Sequence, residues 1–154
     1  MYTVVEILLI AGVKFRVNPG IPQGDVFLTD ANQLIGTFEN LDKFRTFEKE
    51  HYKGWHRHHV VEADDLDRLG VITSAPRYED QLCVLLPEAA HARRINSILR
   101  RANPTKWQAS RGELRRAYAD AYAVMGDYCG GGEAQIRAEL LAIVDAEFQK
   151  LGIN

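Results

Sequence analysis

The alternation of hydrophobic and polar positions near the start of the chain is typical of a half-buried strand. Val13, Phe15 and Val17 alternate with basic residues, which is the period of two that a strand with one covered face shows. We therefore expect residues 1–17 to form strand, with Gly12 as a bend between two short segments.

The middle of the chain changes its pattern several times. Asp30 to Ile35 predicts a short helical turn that ends at Gly36. Asn40 is a suitable N-cap for a helix that runs to about Tyr52, with apolar positions spaced along one side. Trp55 to Glu62 and the apolar run Leu82 to Leu86 predict two further strands.

The second half of the chain has a helical period. Pro87 is a favourable first residue for a helix to about Arg101. Ser110 to Glu113 has the spacing of a capping box and precedes a clean core stripe, and Glu133 to Leu151 predicts the last helix. The stripe consists of Leu114, Ala117, Tyr118, Ala121, Tyr122 and Met125. Strands followed by helices predict an α+β fold, with N-terminal strands and a helical C-terminal half.

Length and composition fit one globular domain over residues 1–154, since 46% of the residues are hydrophobic and 26% are charged. These values exclude a disordered tail, a collagen-like rod and a disulfide-rich miniprotein. Cys83 and Cys129 have no CxxC spacing, so we expect free thiols, with a single disulfide as the alternative.

No membrane segment is expected. The apolar run from Ile7 to Val13 is far shorter than the ~20 residues that span a bilayer. No basic segment precedes this run, so it is a poor signal peptide. We expect a protein made in the cytoplasm, and leave open its secretion or delivery as an effector by another route.

Histidine is the residue type that carries the candidate chemistry. Four of the five histidines lie between His51 and His59, and the fifth is His91 on the predicted Pro87 helix. Helical spacing places His91 on the same face as Ile95 and Leu99, which predicts that it points towards the strand with His58. Imidazoles bind divalent metals, and a further imidazole can take a proton from water near neutral pH. The alternative is a polar surface cluster with His91 as a core histidine.

Three segments together resemble the HNH (ββα-metal) nuclease superfamily, and the branch found in bacterial polymorphic toxins in particular. They are the His-His strand Trp55 to Glu62, the strand Cys83 to Leu86 with Pro87, and the helix segment His91 to Asn96. The resemblance covers residues 55–101 and implies a small ββα-metal core, followed by a helical part over 110–151.

The resemblance also implies roles for individual residues. His58 and His91 would bind one divalent ion (Zn, Mg, Mn or Ni), with Asn96 as a further candidate ligand. His59 would be the general base, and Glu62 could support the base or the metal. The start of the second strand, Asp80 to Cys83, lacks the Asn that the family has there.

The distribution of charge favours a nucleic-acid substrate. The net charge is −2, but eight of the 19 Lys and Arg residues fall between Arg93 and Arg116, against one acid, Glu113. Such a stretch can bind phosphates, or it can be a solvated face paired with acids. The candidate substrate-binding residues are Arg93, Arg94, Arg100, Arg101 and Lys106.

These observations predict an endonuclease that cleaves DNA with little sequence preference, with RNA left open as a substrate. A toxin-type nuclease would need a cognate immunity protein. The alternative is a non-catalytic module, stabilised by zinc, that binds nucleic acid or an acidic protein. Structural zinc normally takes four protein ligands, for which His56, Cys83 and Glu62 are the candidates beside His58 and His91.

Overall fold

A five-stranded antiparallel sheet is the centre of the computed structural model, which describes residues 3–17, 25–61, 81–88, 95, 99, 111–123 and 132–150. The order of the strands is β1-β2-β3-β5-β4, so the last strand in the chain lies between two earlier ones. The strands are β1 (Phe15–Val17), β2 (Val26–Thr29), β3 (Leu34–Thr37), β4 (His56–His59) and β5 (Leu82–Leu86).

The prediction of strand over residues 1–17 was wrong for most of that segment, which forms the helix α1 (Val4–Ala11). Thr3 caps α1, because its side-chain oxygen accepts a hydrogen bond from the Glu6 amide at 3.1 Å. Gly12 is not a bend between strands but the C-cap, with a φ of 70° that a residue without a Cβ adopts at no steric cost. Only β1 is strand as expected, and its burial does not alternate, since Val17 is 56% exposed.

The predicted helical turn over residues 30–35 was also wrong, because β2 and β3 form a hairpin there. The Thr29 amide donates to the Gln33 carbonyl at 3.0 Å, and Asn32 takes a positive φ of 62° in the turn between them. Asparagine tolerates this left-handed conformation better than most residues. The turn chemistry at Asn32 therefore produces a hairpin where the apolar pattern suggested a helical turn.

The predicted helix from Asn40 to Tyr52 is present as two shorter helices, α2 (Phe38–Phe47) and α3 (Lys49–Tyr52). The cap of α2 is Thr37 and not Asn40, since the Thr37 side chain accepts from the Asn40 amide at 3.1 Å. Phe47, which the pattern assigned to the apolar side, is 55% exposed.

Two long helices cover one face of the sheet, and the sequence predicted both helices but not their position on the sheet. They are α4 (Arg111–Tyr122) and α5 (Glu133–Lys150). The stripe of α4 is buried from Leu114 to Tyr122, and Arg115 makes a bidentate pair with Asp145 of α5 at 2.8 and 3.0 Å. The α+β class is confirmed.

The two faces of the sheet belong to two separate hydrophobic clusters. On the face that α1, α4 and α5 cover, which we call the α4 face, Phe27, Ile35 and Val84 lie in register across three strands. On the opposite face, the α2 face, Cys83 and Leu85 pack with α2. Within the described ranges, no helix combines the length and the apolar character needed to cross a bilayer.

Candidate functional site

The two adjacent histidines of β4 point to opposite faces of the sheet. Among the described strands, β4 lies at the edge of the sheet and pairs with β5, in a register that sets His58 beside Val84 and His59 beside Cys83. Successive side chains of a strand alternate, so His58 enters the α4 face and His59 enters the α2 face. The two imidazoles therefore cannot face one point.

His58 is part of the core on the α4 face and is only 1% exposed. Its Nε2 atom lies 2.8 Å from the hydroxyl oxygen of Tyr122, and that hydroxyl donates to the Val60 carbonyl at 2.7 Å. A phenol has one proton, and a carbonyl can only accept. Nε2 of His58 therefore carries a hydrogen and donates it to Tyr122.

His59 is 7% exposed and is held by rings and charge on the α2 face. Its imidazole stacks on the ring of Phe38, the first residue of α2, with centroids 5.1 Å apart and planes 11° apart. Arg57, two residues earlier on the same side of β4, holds its guanidinium carbon 3.5 Å from the Phe38 centroid. Arg57 also donates to the Phe38 carbonyl at 3.1 Å, which ties β4 to the start of α2.

Cys83 shares the α2 face with His59 and has a free, buried thiol. Burial raises the pKa of this thiol well above 9.0, and the negative charge of Glu147 raises it further. Because Cys83 and His58 lie on opposite faces, they cannot bind the same zinc ion. The structural-zinc alternative therefore loses one of its candidate ligands.

Several predicted site residues lie outside the described residues, so their placement stays a prediction. Two neighbours of His91 in sequence are described: Ile95 and Leu99 are buried in the cluster of the α4 face. Across the described ranges, no three His, Cys, Asp or Glu side chains are grouped so that they could hold a metal ion. The predicted residues outside the description are Glu62, His91, Arg93, Arg94, Asn96, Arg100, Arg101 and Lys106.

The partners of the two histidines were missed by the sequence analysis. Tyr122 was assigned to a core stripe, where a buried tyrosine still needs a partner for its hydroxyl, and this requirement was a usable signal. Phe38 and Arg57 gave no such signal, since the contact between α2 and β4 depends on how the chain crosses the sheet.

Comparison with known proteins identifies no relative of this chain. No family model, no curated protein and no solved structure matches it.

Proposed function

We propose that the protein is a metal-dependent endonuclease that hydrolyses phosphodiester bonds of DNA with little sequence preference. The observation that carries the proposal is the arrangement of His58 and His59. The two imidazoles lie on opposite faces of a strand paired antiparallel with β5, and the chain then runs directly from β5 into the segment with His91. Two strands and a segment predicted from the sequence to be helical follow in the order of a ββα core.

His58 suits the role of a metal ligand in one respect. A ligating histidine usually donates its other ring N–H to a protein oxygen, which fixes its tautomer and orientation. The hydrogen bond from Nε2 to Tyr122 fits this pattern, and His58 is therefore proposed as one ligand of the ion. His91 and Asn96 are the proposed further ligands, and the ion would supply positive charge to the phosphate oxygens.

His59 is the proposed general base. Stacking on Phe38 fixes the plane of its imidazole, and a fixed ring can take a proton from a positioned water molecule. Glu62 follows three residues later and is proposed to support the base or the metal. The basic residues between Arg93 and Lys106 are proposed to bind the phosphate backbone, which provides affinity without reading bases.

Plasmid cleavage with Mg²⁺, Mn²⁺, Ni²⁺ or Zn²⁺, with and without chelator, tests the proposal. We expect the His59→Ala variant to retain metal binding and to lose about 10²–10⁴ in rate, the usual contribution of a positioned base. His58→Ala and His91→Ala are expected to lose metal binding as well as activity. His51→Ala removes an exposed imidazole of α3 and is the matched control, which keeps the wild-type rate. Unchanged cleavage by His59→Ala would refute its assigned role.

The basic stretch needs a separate measurement. Replacing Arg100, Arg101 and Lys106 by Ala should weaken DNA binding and reduce the salt dependence by roughly one unit of slope per lost phosphate contact. The rate at saturating DNA should stay near that of the wild type. A salt slope equal to that of the wild type would show that these cations face away from the substrate.

The second candidate function is a non-catalytic binding module. Exposed fractions of 1% for His58 and 7% for His59 favour it, since both imidazoles are packed as structural residues are. This alternative predicts no cleavage of plasmid with any of the four metals, while DNA binding by the basic stretch is retained.

A further inference from the structure

A cavity of about 540 Å³ lies at the end of the sheet where β2 turns into β3, away from the two histidines. Its floor is apolar and consists of Leu28, Leu34 and Leu85, which form a row across three strands of the α2 face. Tyr52 and Trp55 form an aromatic wall between α3 and β4. The volume is typical of a small-molecule site.

The opposite side of the cavity is polar and carries no cation. Asp30 and Asn32 line it from the β2–β3 turn, and Gln135 lines it from the first turn of α5. These three side chains are exposed, and among the described residues none of them has a hydrogen-bond partner. No Lys or Arg is part of the described lining.

The polar side is held in place by a buried carboxylate. Glu139 of α5 accepts from the Thr29 hydroxyl at 2.6 Å and from the Ala31 amide at 3.2 Å. The Gln33 amide adds a bond to the Thr29 hydroxyl at 3.1 Å. These contacts fix the turn that carries Asp30. Ligand binding therefore costs little conformational entropy at this turn.

The aromatic wall is fixed as well. The backbone before Trp55 turns at Gly54, whose φ of 81° disfavours a side chain. Arg45 donates to the Trp55 carbonyl at 2.7 Å, and the Trp55 amide donates to Tyr52 at 3.1 Å. The planes of the two rings are 87° apart, and their centroids are 5.1 Å apart. The rings therefore form a corner in which a flat ligand ring can stack on one of them.

We propose that this cavity binds a nucleobase, supplied by a free nucleoside or by an unpaired position of a single strand. A base has two apolar faces and a polar edge. The cavity offers an aromatic and leucine surface for the faces, and a polar side for the edge. A sugar carries hydroxyls around its whole perimeter, which the leucine floor would leave unpaired. The inference goes beyond the proposed cleavage of DNA and does not depend on it.

The polar side also indicates which bases fit best. The Asp30 carboxylate only accepts hydrogen bonds, whereas Asn32 and Gln135 both donate and accept. An exocyclic amino group is the donor that a carboxylate selects, as in contacts of acidic side chains with cytosine. Cytidine and adenosine should therefore bind about tenfold more tightly than uridine or thymidine.

Calorimetry on the full chain without added metal tests the proposal. We expect cytidine and adenosine to bind with a Kd on the order of 1 mM or tighter, and glucose not to bind. Cytidine monophosphate should bind no better than cytidine, because the described lining has no cation. An oligonucleotide of dC should compete with cytidine, while the same sequence in a duplex should not. If only the free nucleoside binds, the source is a nucleoside and not a strand.

Three variants connect binding to the cavity. Trp55→Ala should abolish measurable binding, and Asp30→Asn, an exposed change that leaves the fold intact, should remove the preference for bases with an amino group. Phe47→Ala removes an exposed aromatic ring of α2 outside the cavity and serves as the control with wild-type affinity. The proposal is overturned if no nucleoside binds at about ten times the expected Kd, if glucose binds equally well, or if both cavity variants bind as the wild type does. Because no metal or cleavage enters this assay, a failure here leaves the nuclease proposal standing, and the reverse also holds.

Discussion

His58 and His59 are neighbours in the chain, yet the sheet gives them different surroundings. His58 enters the α4 face, where it is almost fully enclosed and donates a hydrogen bond to Tyr122. His59 enters the α2 face, where its ring lies flat on Phe38 beside the guanidinium of Arg57. A hydrogen bond to Tyr122 orients the first imidazole, and stacking on Phe38 orients the plane of the second.

The two environments constrain the imidazole side chain in different ways. A hydrogen bond to one ring nitrogen fixes the tautomer and the direction of the other nitrogen. Stacking on an aromatic ring fixes the plane of an imidazole, as it does for His59 on Phe38. The described contacts thus fix one ring nitrogen of His58 and the ring plane of His59.

The largest expected effect is a difference in stability between the alanine variants of the two histidines. His58→Ala removes a buried ring and its hydrogen bond, so we expect a loss of about 2–4 kcal/mol in the free energy of unfolding. His59→Ala removes mainly a stacked contact and should cost about 1–2 kcal/mol. Urea denaturation measures both, with His51→Ala as the exposed control near zero. Equal losses for the two variants would mean that the two environments are energetically alike.

Tyr122→Phe should cost about 1–3 kcal/mol, because it leaves both the Val60 carbonyl and the Nε2 hydrogen of His58 without the hydroxyl in a buried place. The double variant with His58→Ala should lose less than the sum of the single losses, since the two residues share one bond. Tyr118→Phe, the neighbouring tyrosine of the same stripe, is a matched comparison. Strict additivity of the two changes would argue against the bond.

The presence of a hydrogen on Nε2 of His58 can be tested by replacing this histidine with each of the two amide residues. Glutamine places an N–H near the position of Nε2, whereas the shorter asparagine does not. His58→Gln should therefore be more stable than His58→Asn by about 1 kcal/mol, the usual net contribution of one hydrogen bond. The reverse order in denaturation curves would move the bond to the other nitrogen.

The smallest effect concerns pH on the α2 face. The pKa of the Cys83 thiol is raised in the folded protein, because burial disfavours the thiolate. The unfolded chain therefore releases this proton more easily, and stability that is complete below pH 9 decreases as the pH rises above it. In a Cys129→Ser background, the free energy of unfolding should fall between pH 8 and 10. Adding Cys83→Ala should remove that fall, and a slope that persists would come from another group.

The elements with a clear hydrophobic period were predictable. The errors arose where a helix cap or a turn determines the local structure. The helix α4 and the strand β5 could be predicted, because many positions in each segment fit the same hydrophobic period. Residues 4–11 are apolar at nearly every position, so their pattern cannot separate helix from strand, and the cap at Thr3 decides. At Asn32 a single left-handed residue makes a hairpin where a helical turn was expected.

The candidate site was predictable only in part, for a physical reason. Alternation along β4 follows from strand geometry alone, so the separation of His58 from His59 could be derived from the sequence. Their partners depend on helices that reach the strand from distant parts of the chain, and Tyr122 is 64 residues away from His58. Local patterns carry no information on such contacts. The cavity at Trp55 was missed for the same reason.

The order of the strands has a consequence for protein synthesis. β5 lies between β3 and β4, so β4 leaves the ribosome before the strand that pairs with it in the described sheet. Tyr122 follows later still, at the end of α4. A nascent chain thus carries both histidines for some time without the contacts that orient them. The histidine pair acquires its geometry late in translation, and chains that stop before α4 contain the residues without the site.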